Sequence, residues 1–193
     1  MLGCSGLKEG VPLNLALRLM YPRPTVLVSC AYAGKPNIIT LAWSTPLSFD
    51  PPLLGIAVGL ERYSHDIIAK SGEFVVNIPT IDLIKQTIFC GEHSGREVDK
   101  FKEAKLTPIP SLKVNAPSIM ECAAHLECKV VQSIRTGDHT FFVGEVVAAR
   151  VNQGLFKRTF DPTKIQIILY LGIRDFGIRE FTTNEPKLMT SSS

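Results

Sequence analysis

Apolar residues along this chain fall in short alternating or continuous blocks, and most blocks end at glycine, proline or asparagine. Residues 25–33 (TVLVSCAYA) read as a strand closed by a turn at Gly34, Lys35, Pro36 and Asn37. Residues 38–44 (IITLAWS) predict a second strand. Pro46, Pro51 and Pro52 then restrict the chain to extended or loop geometry, because proline lacks an N–H and fixes φ. Residues 53–60 (LLGIAVGL) predict a buried strand, and 64–70 a short helix with Ser64 at its N-cap and a stop at Ser71 and Gly72. A strand at 73–78 and a helix at 82–89 follow, with Ile81, Ile84, Ile88 and Phe89 near one face. Residues 90–100 read as a polar loop with at most a helical turn. Strands resume at 124–134 and 140–151 around a hairpin turn at Thr136, Gly137 and Asp138, and once more at 165–171. Many short strands with two or three short helices indicate a mainly β barrel with accessory helices. The tail from Thr182 is polar and expected to be mobile.

At 193 residues with 45% hydrophobic and 20% charged positions, the chain suits one globular domain and excludes a disordered one. The longest uncharged run, 36–49, contains Asn37, Thr40, Ser44, Thr45, Pro46 and Ser48, so no spanning helix is expected. Net charge is +3 with scattered basic residues, which argues against nucleic acid as a partner. The first ten residues lack the pattern of a signal peptide. Five cysteines without a disulfide framework fit a reducing cytoplasm. Cys122, His125 and Cys128 supply three soft ligands without a fourth nearby; an alternating strand with buried thiols is the alternative, and no metal is expected. Asn77, between apolar neighbours, is expected to satisfy backbone groups, Cys30 and Cys90 to be inert, and His93 to be a solvated loop residue.

The chain has no G-x-G-x-x-G, no Walker loop, no H-E-x-x-H and no G-x-S-x-G. Four other segments stand out: NIITLAWSTPLSFDPP (37–52), ERYSHDII (61–68), GEHSGREVDKF (91–101) and GDHTFFVGEVV (137–147). Their combination and order, from about Tyr21 to about Phe160, resemble the flavin reductase-like family, in its flavoredoxin branch of FMN-binding split barrels. The resemblance implies a six-stranded antiparallel Greek-key split barrel that forms a homodimer and binds FMN near the subunit interface. Residues 1–193 would then be one such domain, with extensions at 1–20 and 161–193.

The resemblance also implies a site. Arg62, Ser64 and His65 would meet the FMN phosphate at a helix start, with Lys100 as a second cation. For Ser64 a routine helix cap is the alternative. Thr40, Ala42, Trp43, Ser44 and Thr45 would flank the flavin ring, where donors at the pyrimidine edge favour the reduced form. Trp43 is also an ordinary choice for a core or interface position. His139, in the family-like Gly-Asp-His, would sit where nicotinamide stacks and act by positioning; a hairpin-tip histidine is the alternative. The expected activity is electron transfer from NADH or NADPH through FMN to a flavin, ferric or protein acceptor. The rival is a flavoredoxin-like electron carrier with little NAD(P)H activity, and a third possibility is a barrel binding another planar ligand without redox chemistry.

Overall fold

The computed structural model describes residues 8–173 and 179–184. Helix α1 (Leu13–Ala16) runs into a 3-10 turn at Leu17–Met20. Strands β1 (Arg23–Pro24), β2 (Val26–Tyr32), β3 (Lys35–Leu41), β4 (Ser44–Phe49) and β5 (Pro52–Gly59) follow, then helix α2 (Tyr63–Ser71) and β6 (Glu73–Ile78). Next come α3 (Ile84–Glu92), α4 (Lys100–Glu103), the short pair β7 (Pro108–Ile109) and β8 (Ser118–Ile119), and the long hairpin β9 (Ala124–Thr136) and β10 (His139–Val151). Strands β11 (Ile168–Ile173) and β12 (Arg179–Thr183) complete the order.

Seven strands form one antiparallel sheet in the order β3-β2-β6-β9-β10-β5-β4. Its two edges, β3 and β4, are consecutive in sequence and joined only by Ala42 and Trp43. A link that short spans about 10 Å at most. The edges must therefore come together, and the sheet curls into a barrel with an unladdered seam between β3 and β4. The fold is thus the mainly β split barrel with few short helices that the sequence indicates. The proline segment, read as extended or loop, adds a seventh strand, β4. A bulge between Pro46 and Ser48 and an edge position let it carry proline.

Other boundaries shift for local reasons. The first hairpin turns at Ala33 and Gly34, both at positive φ (50° and 75°), so Lys35, Pro36 and Asn37 belong to β3 rather than to the turn. Pro36 is tolerated because β3 is an edge. The N-cap of α2 is Arg62, not Ser64. Its stop at Gly72 holds, with φ 69° in the left-handed region that glycine occupies without strain.

Strand β2 is buried on both faces, which explains its unbroken apolar run. Val26, Val28 and Cys30 face the barrel interior with Ile56, Val58, Phe74, Cys128 and Phe142, closed by Ile67 and Ile68 of α2. Leu27 faces a second core under α3 with Ile38, Cys90, Phe101, Ile119 and Cys122. Cys122 and Cys128 thus belong to different cores. His125 Nδ1 bonds Asn77 Oδ1 at 2.9 Å, and burial first of all lowers its pKa to about 4. Among the described residues no three His, Cys, Asp or Glu side chains converge as a metal site.

Asn77 does what its position suggests. Its amide donates to the Leu27 carbonyl and Ser29 Oγ, both at 2.9 Å, and its oxygen also accepts from Ile119 N–H at 3.0 Å. Two buried carboxylates hold the loop before β8: Glu127 accepts from Leu112 and Lys113 N–H, and Glu73 from Asn115 and Ala116 N–H. The two ends of the described chain meet in a separate sheet, β1-β11-β12, which packs beside the barrel seam.

Candidate functional site

A cleft of about 560 Å³ lies where the barrel seam, the start of α2, the end of α3 and the small sheet meet. This volume falls within the range of small-molecule and cofactor sites. Its two ends differ chemically.

One end is polar and cationic. Arg62 caps α2, and the N–H groups of Tyr63 and Ser64 precede the first intrahelical bond. Ser64 Oγ, buried, accepts from Asn37 Nδ2 at 2.8 Å. Arg62 reaches Glu61 at 2.9 Å and is largely exposed. Lys100 is 5% exposed, and its ammonium donates to the carbonyls of Ile38 (2.8 Å) and Cys90 (2.7 Å). An ammonium has three N–H donors, so one remains for a ligand. Burial lowers the Lys100 pKa, and the Arg62 charge lowers it further. A buried ammonium beside a guanidinium and open helix N–H groups forms an anion site.

The other end is aromatic. The Trp43 and His139 rings lie 4.8 Å apart, tilted by 37°. Trp43 Nε1 donates to Tyr21 Oη at 3.1 Å. Tyr21 packs on Tyr170 (5.3 Å between ring centres), and Tyr170 on Phe181 (5.4 Å). The small sheet built from the two ends of the described chain therefore forms an aromatic wall beside the seam. His139 Nδ1 bonds Asp138 at 2.6 Å, and this hydrogen bond holds the Asp138 carboxyl below its ordinary range.

Thr25 and Thr87 also border the cleft, and their hydroxyls are buried and without a hydrogen-bond partner among the described residues. Thr40 Oγ1 donates to the Thr87 carbonyl at 2.6 Å, tying α3 to β3.

Of the residues singled out in the sequence, Thr40, Ala42, Trp43, Arg62, Ser64, Lys100 and His139 line this one cleft. Ser44, Thr45 and His65 do not. Thr45 Oγ1 reaches its neighbour's carbonyl on Pro46, and the Ser44 carbonyl accepts from Arg23. His65 turns away from the cleft: its Nε2 pairs with Thr140 Oγ1 at 2.8 Å and its ring packs near Phe142. On a helix, residues 64 and 65 point about 100° apart, and here Ser64 is the one that lines the cleft. His93 is exposed as expected and stacks on Phe89, but it stands on the cleft's rim.

Sequence reasoning did not assign Asn37, Thr25, Thr87 or Gly95 to the site. Gly95 had a signal: it lies in the Gly91–Phe101 stretch, and a Cβ there would come within 2.1 Å of Asn37 Oδ1. Thr25 and Thr87 had none, since a threonine in a strand or helix is unremarked until its hydroxyl is found without a partner. The buried thiols behave as inert groups, with burial pushing Cys30 up to about 12 and Cys90 to about 11.

Comparison with known proteins agrees with this geometry. The family model for the flavin reductase like domain matches residues 17–171. A protein of Archaeoglobus fulgidus is 43% identical over 169 residues, covering 87% of this chain and 92% of that one. The reductase component of a 4-nitrophenol 4-monooxygenase/4-nitrocatechol 2-monooxygenase from Rhodococcus opacus is 28% identical over 128 residues, covering 66% of this chain and 65% of that one. Among solved structures, flavoredoxin from Methanosarcina acetivorans superposes with a TM-score of 0.84 at 29% identity, covering 96% of this chain and 95% of that one. An FMN-binding protein from Thermus thermophilus superposes with a TM-score of 0.81 at 25% identity, covering 96% and 98%.

Proposed function

Because the chain belongs to the flavin reductase-like family, we propose that its cleft binds FMN and that the protein passes electrons from NADH or NADPH through the flavin to a flavin, ferric or protein acceptor. The observation that carries this reading is the pairing of a buried cationic pole with an aromatic pole in one cleft. The pole at Arg62, Ser64 and Lys100 suits a dianionic phosphate. The wall at Trp43, Tyr21 and Tyr170 suits a flat ring system.

Bound FMN would supply hydride and single-electron chemistry; the protein's own residues bind and orient. Arg62, Lys100 and the N–H groups of Tyr63 and Ser64 hold the phosphate. Backbone groups at Thr40, Ala42 and Trp43 border the ring. His139, fixed by Asp138 and packed at a tilt against Trp43, orients a nicotinamide on the open side. Ser44, Thr45 and His65 have no part in this assignment. His65 instead fastens α2 to β10.

A homodimer belongs to the same reading. Phe49, in the β4–β5 hairpin, and Leu13 and Leu17 at the N-terminal turn are exposed large apolar side chains of the kind a second copy covers. No helix among the described residues is long and apolar enough to cross a membrane. The free thiols of Cys30, Cys90, Cys122 and Cys128 suit a cytoplasmic setting.

The test is a visible spectrum of the purified protein with FMN, then with NADH or NADPH under nitrogen. Flavin bands that bleach with a nicotinamide are expected. Similarity to flavoredoxin favours one other reading, an electron carrier fed by a protein partner; bands that bleach only with dithionite would establish it. Failure to take up FMN would remove both.

A further inference from the structure

The chain between α3 and α4, residues 93–99, forms a strap across the cationic end of the cleft. It is fastened at several independent points. Just before it, a Cβ on Gly91 would stand 3.2 Å from Thr40 Cβ, and within it a Cβ on Gly95 would meet Asn37 Oδ1, so the backbone lies directly on β3. Just after it, Lys100 ties to the Ile38 carbonyl. At its outer side, Arg96 reaches over the start of α2. One guanidinium nitrogen donates to Asp66 at 2.6 Å, another to the Glu61 carbonyl at 3.1 Å, and the guanidinium lies 5.1 Å from the centre of the Tyr63 ring. This single side chain joins the strap to the helix terminus that supplies the anion site.

We propose that the strap makes the cleft selective for a flavin monophosphate over a flavin dinucleotide, with Arg96 as the positioning residue that keeps it closed. The inference rests on the flavin reading above. A phosphate monoester ends at the anion site, whereas a dinucleotide must continue beyond it with a second phosphate and an adenosine. On the path onward stands the Arg96 bridge, which crosses the start of α2 from the strap. That path is also electrostatically wrong: Glu61, Glu92 and Glu97 line the cleft around Arg62 and Lys100. The further cation on that path, Arg96, is already paired with Asp66, so the outer phosphate of a diphosphate would meet carboxylates with no free cation to match it.

The experiment is fluorescence titration of the full chain with FMN and with FAD, for the wild type and for Arg96→Ala and Arg96→Lys. The wild type is expected to bind FMN at least roughly tenfold more tightly than FAD, by the two charge and closure effects together. In Arg96→Ala, FMN affinity should fall about fivefold to tenfold, the worth of one exposed ion pair plus a cation–π contact. FAD affinity should hold or rise, so the ratio collapses. Lysine can pair with Asp66 but cannot also span to the Glu61 carbonyl, and should restore part of the ratio. Amide hydrogen exchange across 93–98, measured without flavin, should quicken in Arg96→Ala. Equal wild-type affinities for the two flavins, a ratio unmoved in Arg96→Ala, or unchanged exchange would each overturn the proposal while leaving FMN binding intact. A wild type that takes neither flavin overturns the flavin reading itself.

Discussion

Replacing Lys100 by methionine separates the two jobs its ammonium performs. Methionine keeps the unbranched apolar stem, one atom shorter, and removes three donors. Two of them serve the Ile38 and Cys90 carbonyls, and the third is free for a ligand. A charge-assisted hydrogen bond in a site this buried contributes about 2 kcal/mol, or roughly 30-fold in a dissociation constant. Arg62 is 56% exposed and already bridged to Glu61, so its contribution is screened and smaller, about 0.5–1 kcal/mol, or roughly twofold to fivefold. Riboflavin, which has the ring and sugar chain of FMN but no phosphate, is the internal control. Titrating both ligands into the wild type, Lys100→Met and Arg62→Ala gives a cycle in which structural damage cancels. The ratio of FMN to riboflavin affinity should fall roughly 30-fold in Lys100→Met and only a few-fold in Arg62→Ala. Added salt should erode the Arg62 part more than the Lys100 part. The preference for FMN should also decline as pH rises through the depressed Lys100 pKa, because Lys100 contributes its charge to the phosphate only as the ammonium. If Lys100→Met weakens both ligands equally, Lys100 is only a tie between β3 and α3, and the phosphate assignment is wrong.

The other expectations are independent of that cycle. His125, 6% exposed, has its folded pKa lowered from 6.5 to about 4, so it stays neutral when buried while the unfolded chain takes up a proton below pH 6.5. Its contribution is whole above pH 6.5 and is lost as pH falls toward 4; urea melts at pH 7 and 4.5 should show a drop about 2–3 kcal/mol larger for the wild type than for His125→Gln, and equal drops would refute this. Thr87→Val removes a partnerless buried hydroxyl, so the protein's melting temperature should hold or rise; a clear fall would refute the reading that this hydroxyl is unpaired. Asn77→Leu strips donors from Leu27 and Ser29 and an acceptor from Ile119 and His125, and should cost about 3–5 kcal/mol in a denaturant melt. His139→Ala should slow flavin reduction by NAD(P)H more than it weakens FMN binding; stopped-flow rates and titration compared side by side decide, and equal losses would make it a binding residue.

What could be read from the sequence was local. The run TVLVSCAYA is a strand because both of its faces are buried, and the pair Gly137 and Asp138 turns the chain because Gly137 takes a φ of 64°. The cleft was legible through short segments whose residues lie on one element or its immediate loop, such as Thr40 to Trp43 and Arg62 to Ser64. What stayed hidden depends on partners distant in the chain. Arg23 pairs with Tyr170, and no local pattern announces that the two ends of the described chain build one wall of the site. His65 looks like a phosphate ligand beside Ser64 until Thr140, on a strand far along the chain, takes its imidazole. Ser64 has the composition of a cap, yet the helix starts one residue earlier and uses it as a buried acceptor for Asn37. Helix phase and long-range pairing set these features, and neither is encoded in a short window.

The seam between β3 and β4 has a practical corollary. The link that brings those edges together ends in the chain's single tryptophan. That indole also touches His139 and Tyr21 in the cleft. Its emission therefore carries two signals through one chromophore: unzipping of the barrel would expose it to water and shift it to the red, whereas a flat ligand settling alongside would quench it in place. The wild-type chain thus has a built-in optical probe that tells loss of fold from gain of ligand, without an attached dye.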